Sequence, residues 1–324
     1  MRQILSLIQP QLDAVEKTII RQAEVFDPAV QGYVSYALNT NGKRLRPALA
    51  LLSAGATGRV TESQQSLAVI LELIHLATLI HDDVLDGAEK RRDQPTANAR
   101  WGNNLSVLLG DCLLAHALDL STNFDDAEVS RRIARAASAV CTGEILQTQR
   151  RFDLNLSLPD YYRIIEMKTA ALFGAAAELG ARLNDVPPEV SAAMKTYGLK
   201  IGTAYQVYDD LLDIAGDESK AGKTLGTDLK KGKLTLPILK LLQSSQNGQR
   251  EHWTQIILRG EEEDHAALRQ AALQTGSMAA SAQAGTAIIE EGLQQLDVLG
   301  DSPYRDALAD VGHRLGATIG QFAE

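Results

Sequence analysis

The chain has 324 residues, a net charge of −9 and a hydrophobic fraction of 45%. Such a chain can bury a sizeable core, and its acidic balance argues against a general nucleic-acid binder. Aromatic residues make up only 5% while Ala and Leu abound, a bias toward packed helices over strands. No Pro/Gly/Ser-rich linker and no shift of composition divides the chain, which reads as one large domain, residues 1–324. Met1 to Pro10 lacks the basic start and apolar run of a signal peptide. No apolar stretch is long enough to span a bilayer. Cys112 and Cys141 fall in apolar helical patterns and read as buried small side chains without a disulfide framework, which fits a reducing cytosol.

Residues 1–25 read as an amphipathic helix, with Ile4, Ile8, Leu12, Val15, Ile19 and Ile20 at helical spacing. A second helix covers 28–39. The turn Asn41-Gly42-Lys43-Arg44-Leu45-Arg46-Pro47 then puts three cations at the mouth of the apolar helix Ala48–Ala54, an arrangement suited to an anion. Residues 62–86 form a long apolar helix containing His75 and closing on Asp82-Asp83-Val84-Leu85-Asp86. Gly87 breaks the pattern, and 87–104 read as a mobile loop carrying Lys90-Arg91-Arg92. Arginine forks suit bidentate phosphate recognition.

Helices follow over 104–120 and 127–150, the second ending in Gly143-Glu144-Ile145-Leu146-Gln147. Pro159 opens another, in which Lys168 stands among Ala170, Leu172 and Phe173. A lysine there either finds an anionic partner or snorkels to the surface. Residues 188–215 form a second long apolar helix. It closes on Asp209-Asp210-Leu211-Leu212-Asp213, and Gly216 can terminate it. The loop from Ser219 to Pro237 holds three glycines and five lysines, with Lys223 and Lys233 each directly after a glycine. Segments at about 251–258, 264–295 and 304–322 read as helices with ordinary surface charge, and nothing reads as a strand.

Two Asp-Asp-x-x-Asp motifs organise this pattern. On a helix, Asp82, Asp83 and Asp86 crowd one face, as do Asp209, Asp210 and Asp213. Like charges at that spacing repel, and a helix C-terminus disfavours them further. A bound cation removes the cost, and carboxylates without nearby Cys or His pairs suit a hard ion, Mg²⁺ first. Cations at 43–46, 91–92, 168 and 223–233 would hold the free oxygens of a Mg²⁺-bridged diphosphate, while an apolar cavity between helices would receive a hydrocarbon tail.

With those residues in place, the sequence resembles the trans-polyprenyl diphosphate synthase family from about residue 25 to 240. The likeness rests on Gly42-Lys43-Arg44-Leu45-Arg46-Pro47, His75, the first Asp motif, Arg91-Arg92, Lys168-Thr169, Gln206 with the second Asp motif, Gly222-Lys223, and Gly232 to Pro237. The ordered set is far more specific than either Asp motif alone. The resemblance implies an all-α bundle around a central apolar cavity and a cytoplasmic homodimer. It also implies Mg²⁺-dependent, head-to-tail addition of isopentenyl diphosphate to an allylic diphosphate, with transient membrane contact for product release. It assigns Asp82, Asp83, Asp86, Asp209, Asp210 and Asp213 to the metal. Arg91, Lys168, Lys223 and Lys233 go to the allylic diphosphate, and Lys43, Arg46, His75 and Arg92 to isopentenyl diphosphate. Thr169 and Gln206, with Lys168, belong to the reacting centre.

Two positions depart from the family pattern. Asp93 stands where Gly is usual and could compete with phosphate for Arg91 or Arg92. Tyr205 replaces the usual Phe and adds a hydroxyl that needs a partner. A class I terpene cyclase shares the first Asp motif, but its second is usually an Asn/Asp-Ser/Thr-Glu site, and it needs no basic 43–46 turn. A non-catalytic synthase subunit typically loses Asp motifs that this chain keeps. Ala77 and Thr78 lie about one turn below the first motif, with Leu73, Ile70 and Val69 beyond. No aromatic residue floors this path, nor the helix near Val140 and Cys141, so the expected product is hexaprenyl to decaprenyl diphosphate, with a short-chain geranylgeranyl or farnesyl diphosphate synthase as the alternative.

Overall fold

A computed structural model describes residues 6–39, 42–91, 94–215, 226–260 and 262–323. Helices dominate it, as composition predicts. They are α1 (Gln9–Arg21), α2 (Pro28–Leu38), α3 (Leu45–Thr57), α4 (Glu62–Asp86), α5 (Ala97–Trp101), α6 (Asn103–Ser121), α7 (Ala127–Gln149) and α8 (Leu158–Ile165). A π-helical turn, Glu166–Ala170, leads into α9 (Ala171–Arg182), and α10 (Pro188–Ala215), α11 (Thr227–Lys230), α12 (Leu236–Ser244) and α13 (Asn247–Arg259) follow. The chain ends with α14 (Glu262–Gln274), α15 (Ser277–Leu293) and α16 (Pro303–Gly320). No described helix is long and apolar enough to cross a membrane.

The backbone divides into two compact units, each drawn from three stretches of chain. The first comprises Met1–Ser138, Leu172–Gly198 and Gln295–Asp310; the second comprises Ala139–Ala171, Leu199–Gln294 and Val311–Glu324. In the first unit α4 packs along α1, α3 and α6. Its middle is buried on every side, from Leu67 to Ile74, as expected of a central helix. In the second unit α12 packs against α15 and α14.

The two motif helices occupy the residues read from sequence. Thr61 and Gln64 form a capping box that starts α4, with Gln64 Oε1 accepting from the Thr61 amide at 2.8 Å. Gly87 ends it in the left-handed region, φ 60°, where a side chain would be strained. The Ala88 amide then bonds back to the Asp83 carbonyl at 2.9 Å. Gly216 lies outside the described residues.

Several expectations are corrected. The first helix gives way to a 3₁₀ turn at Gln22–Val25. Residues 87–104 contain a two-residue antiparallel ladder, Lys90–Arg91 against Gln94–Pro95, and the short α5. The stretch 264–295 is broken at Gly276, φ 74°. Cys112 is only half-buried and Cys141 is exposed. The apolar pattern of α7 runs wider than its buried face, so Val140 is covered while its neighbour Cys141 is not.

Candidate active site

In the first unit, α4 presents its motif carboxylates unequally. Asp83 is buried, whereas Asp82 and Asp86 are half-buried. The expected single face is therefore split. Arg91, delivered by the short ladder, places Nε and Nη2 at 2.9 and 2.8 Å from Asp83 Oδ1. That pair lines a recess with Tyr36, Leu76, Ile80 and Pro95. Arg46 leaves the start of α3 with its guanidinium 4.7 Å from the buried Phe173 ring, a cation–π contact that steers the side chain. Lys43 is exposed on the turn and His75 is half-buried on α4. Arg92 and Asp93 lie outside the described residues. Arg91 turns back to Asp83 of the first Asp motif.

In the second unit, Gln147, Tyr161, Lys168, Gln206, Asp210 and Lys233 line one recess. The π turn at Glu166–Ala170 carries Lys168 and Thr169 into place, a distortion common at functional positions. Lys168 Nζ lies 2.5 Å from Glu144 Oε2 and donates to Gln147 Oε1 at 2.8 Å. Of the two fates read for this lysine, it takes the anionic partner, and its side chain is 20% exposed. Thr169 Oγ1 donates to Gln206 Oε1 at 2.8 Å, and Gln206 Nε2 donates to Asp210 Oδ1 at 3.0 Å. Lys233 is almost covered, 4.0 Å from Asp228 Oδ1. The Phe152 amide donates to the Gly232 carbonyl at 2.8 Å, which anchors the segment that carries Lys233. Lys223 and Gly222 lie outside the described residues.

The second motif is also graded. Asp209 is half-buried, while Asp210 and Asp213 are buried. Burial pushes the Asp210 carboxyl up to about 7, with the nearby Asp228 charge adding to it and the bonds from Tyr161, Gln206 and the Leu236 amide opposing it. Asp213 accepts from the Asp228 amide at 3.4 Å. Tyr205 is half-buried, its ring 6.3 Å from that of Tyr208.

Among the described residues, no three His, Cys, Asp or Glu side chains form a ready metal cage. An oxygen-only donor set still fits Mg²⁺, which keeps several waters and takes its remaining ligands from substrate phosphates. Sequence reasoning missed Tyr161, which bonds Asp210, and Glu144 and Gln147, which hold Lys168. The i, i+3 spacing of Glu144 and Gln147 was the available signal, since it puts both on one helical face. Tyr161 gave none.

A helical fold that carries two Asp-Asp-x-x-Asp motifs fits the resemblance to prenyl diphosphate synthases. The chain belongs to the polyprenyl synthetase family, whose model matches residues 27–274. It is 36% identical over 282 residues to the octaprenyl diphosphate synthase of Escherichia coli, covering 86% of each chain. It is 33% identical to a geranylgeranyl diphosphate synthase of Methanosarcina mazei, over 85% of this chain and 86% of that one. A Caulobacter crescentus polyprenyl synthase, solved with calcium and isoprenyl diphosphate, superposes with TM-score 0.89 at 33% identity, over 99% of this chain and 97% of that one. Family and fold together make this protein an all-α prenyltransferase of isoprenoid biosynthesis, acting on isoprenoid diphosphates.

Proposed function

We propose that the protein, a single synthase domain over residues 1–324, condenses isopentenyl diphosphate with an allylic diphosphate, head to tail and all-trans, to give a long-chain polyprenyl diphosphate. The observation that carries this reading is the second-unit recess, where Lys168 and Lys233 stand beside Asp210 and the Thr169–Gln206 pair. Two half-buried lysines next to carboxylates suit a polyanion that arrives with its own cations.

The metal taken is Mg²⁺, held by Asp82, Asp83, Asp86, Asp209, Asp210 and Asp213. Asp82, Asp86 and Asp209 are the more exposed of the six, and Asp83, Asp210 and Asp213 accept protein donors. When bound, the metal neutralises the diphosphate and makes it a better leaving group. Arg91, Lys168, Lys223 and Lys233 bind the allylic diphosphate oxygens. Lys43, Arg46, His75 and Arg92 bind isopentenyl diphosphate. Thr169 and Gln206, oriented by their own hydrogen bond, turn dipoles toward developing positive charge, and the departing diphosphate takes the proton. The long-chain product is supported by the aliphatic course of α4 below Asp82 and by the octaprenyl name of a relative. A homodimer, a cytoplasmic location and transient membrane contact at product release follow from the family resemblance.

The two substrate assignments separate kinetically. Lys43→Ala and Arg46→Ala are expected to raise KM for isopentenyl diphosphate, and Lys233→Ala that for the allylic substrate. Each lost charge-assisted bond is worth about 1.5–3 kcal/mol. Equal effects of both sets on both substrates would contradict the assignment.

A further inference from the structure

We propose that Arg44 is a positioning residue for isopentenyl diphosphate, locked by Glu16 and Glu72 so that its neighbours Lys43 and Arg46 are presented at a fixed angle beside His75. The proposal rests on the reading of Lys43, Arg46 and His75 given above.

Arg44 stands at φ 48°, ψ 39°, immediately before α3. Residues other than glycine enter this left-handed region only at a steric cost. They stay there when their surroundings over-determine them. Its side chain supplies that constraint. Nε and Nη2 reach the two oxygens of Glu16 at 2.6 and 2.7 Å, a two-bond fork. Nη1 reaches Glu72 Oε1 at 2.7 Å. Three guanidinium nitrogens are thus committed, with the Arg44 side chain 10% and the Glu72 side chain 4% exposed.

The placement of these partners gives the clamp its purpose. Glu72 sits on α4 three residues before His75, one turn away on the same face. Glu16 sits on α1, ahead of the first residue matched by the family model. Arg44 therefore ties the basic turn to the helix bearing His75 and to the N-terminal helix at once. Lys43 adjoins it, and Arg46, two residues on, leaves the same turn toward Phe173. A lysine at 44 keeps the charge but cannot make the fork.

The test uses the full chain with Arg44→Lys, Arg44→Gln and Glu16→Gln. A binding group moved out of line loses its charge-assisted bond to the diphosphate, and such a loss weakens binding by about 10- to 100-fold. We expect Arg44→Lys and Arg44→Gln to raise KM for isopentenyl diphosphate by about 10-fold, and Glu16→Gln to raise it in the same direction by less. KM for the allylic substrate and kcat stay near wild type. A merely structural ion pair would lower Tm or move both KM values together, and either pattern without the split overturns the clamp. If the Arg44 variants do not fold, Glu16→Gln decides alone, because Glu16 is 40% exposed and tolerates the change. Active wild-type protein with unchanged KM values in Glu16→Gln overturns the clamp only. Wild-type protein that transfers no prenyl group overturns the underlying reading and the clamp with it.

Discussion

The Tyr161 hydroxyl donates to Asp210 Oδ2 at 2.6 Å, inside the second unit and away from solvent. The Leu236 amide reaches the same oxygen at 3.2 Å, and Gln206 takes the other. These donors oppose the burial that pushes Asp210 up to about 7. In the metal-free protein Asp210 keeps its proton to about pH 7, whereas the unfolded chain releases it at about 3.9. The folded state therefore holds the extra proton between those values. This group's stabilising contribution is complete below about pH 4 and is lost as pH rises through 7. Metal-free Asp210→Asn should lose that slope in chemical denaturation between about pH 4 and 7. Tyr161→Phe, which removes a donor, should move the slope to higher pH. An unchanged slope in Asp210→Asn would contradict the assignment.

The carboxylates of the first motif should behave differently from one another. Asp82→Ala removes one of three clustered carboxylates of α4, and activity should fall at least ~100-fold with the helical fold kept. Asp83→Ala strips Arg91 of its partner. Because Arg91 is 39% exposed, the loss of stability should be about 1 kcal/mol or less, with a lowered Tm as its sign. Thermal melts beside steady-state assays separate the two. Full activity of Asp82→Ala would contradict the metal role.

Much of this was legible in the sequence, and particular residues show where legibility ends. Periodicity gave α4 and α10 with their bounds, and Gly87 marked where α4 ends. The two Asp motifs stood out because their cost is local too. What periodicity could not show was which carboxylate turns inward. Asp83 and Asp210 are buried by partners eight and 49 residues away in the chain, Arg91 and Tyr161. The Glu16–Arg44 fork spans 28 residues, and no spacing rule reaches that far. The π turn at Lys168 also escaped, since its sequence looks helical and only the register of its hydrogen bonds differs.

Product length should respond to bulk below the first motif. Ala77 is 1% exposed, while Thr78 is half-buried with its hydroxyl bonded back to the His75 carbonyl at 2.8 Å. Ala77→Phe must push neighbours aside at a cost of about 1–3 kcal/mol, and Thr78→Phe less. Both should keep condensing and stop at farnesyl or geranylgeranyl diphosphate, read by chain-length chromatography. Unchanged products in both variants would show that the prenyl tail does not pass this face of α4.

The most direct measurement takes the purified chain alone, with Mg²⁺, farnesyl diphosphate and radiolabelled isopentenyl diphosphate, and resolves the products by chain length with and without excess chelator. The account predicts hexaprenyl-to-decaprenyl diphosphate, formed without any partner subunit and abolished by the chelator. No incorporation by the chain alone, turnover that persists in chelator, or a wild-type product that ends at geranylgeranyl diphosphate would contradict it.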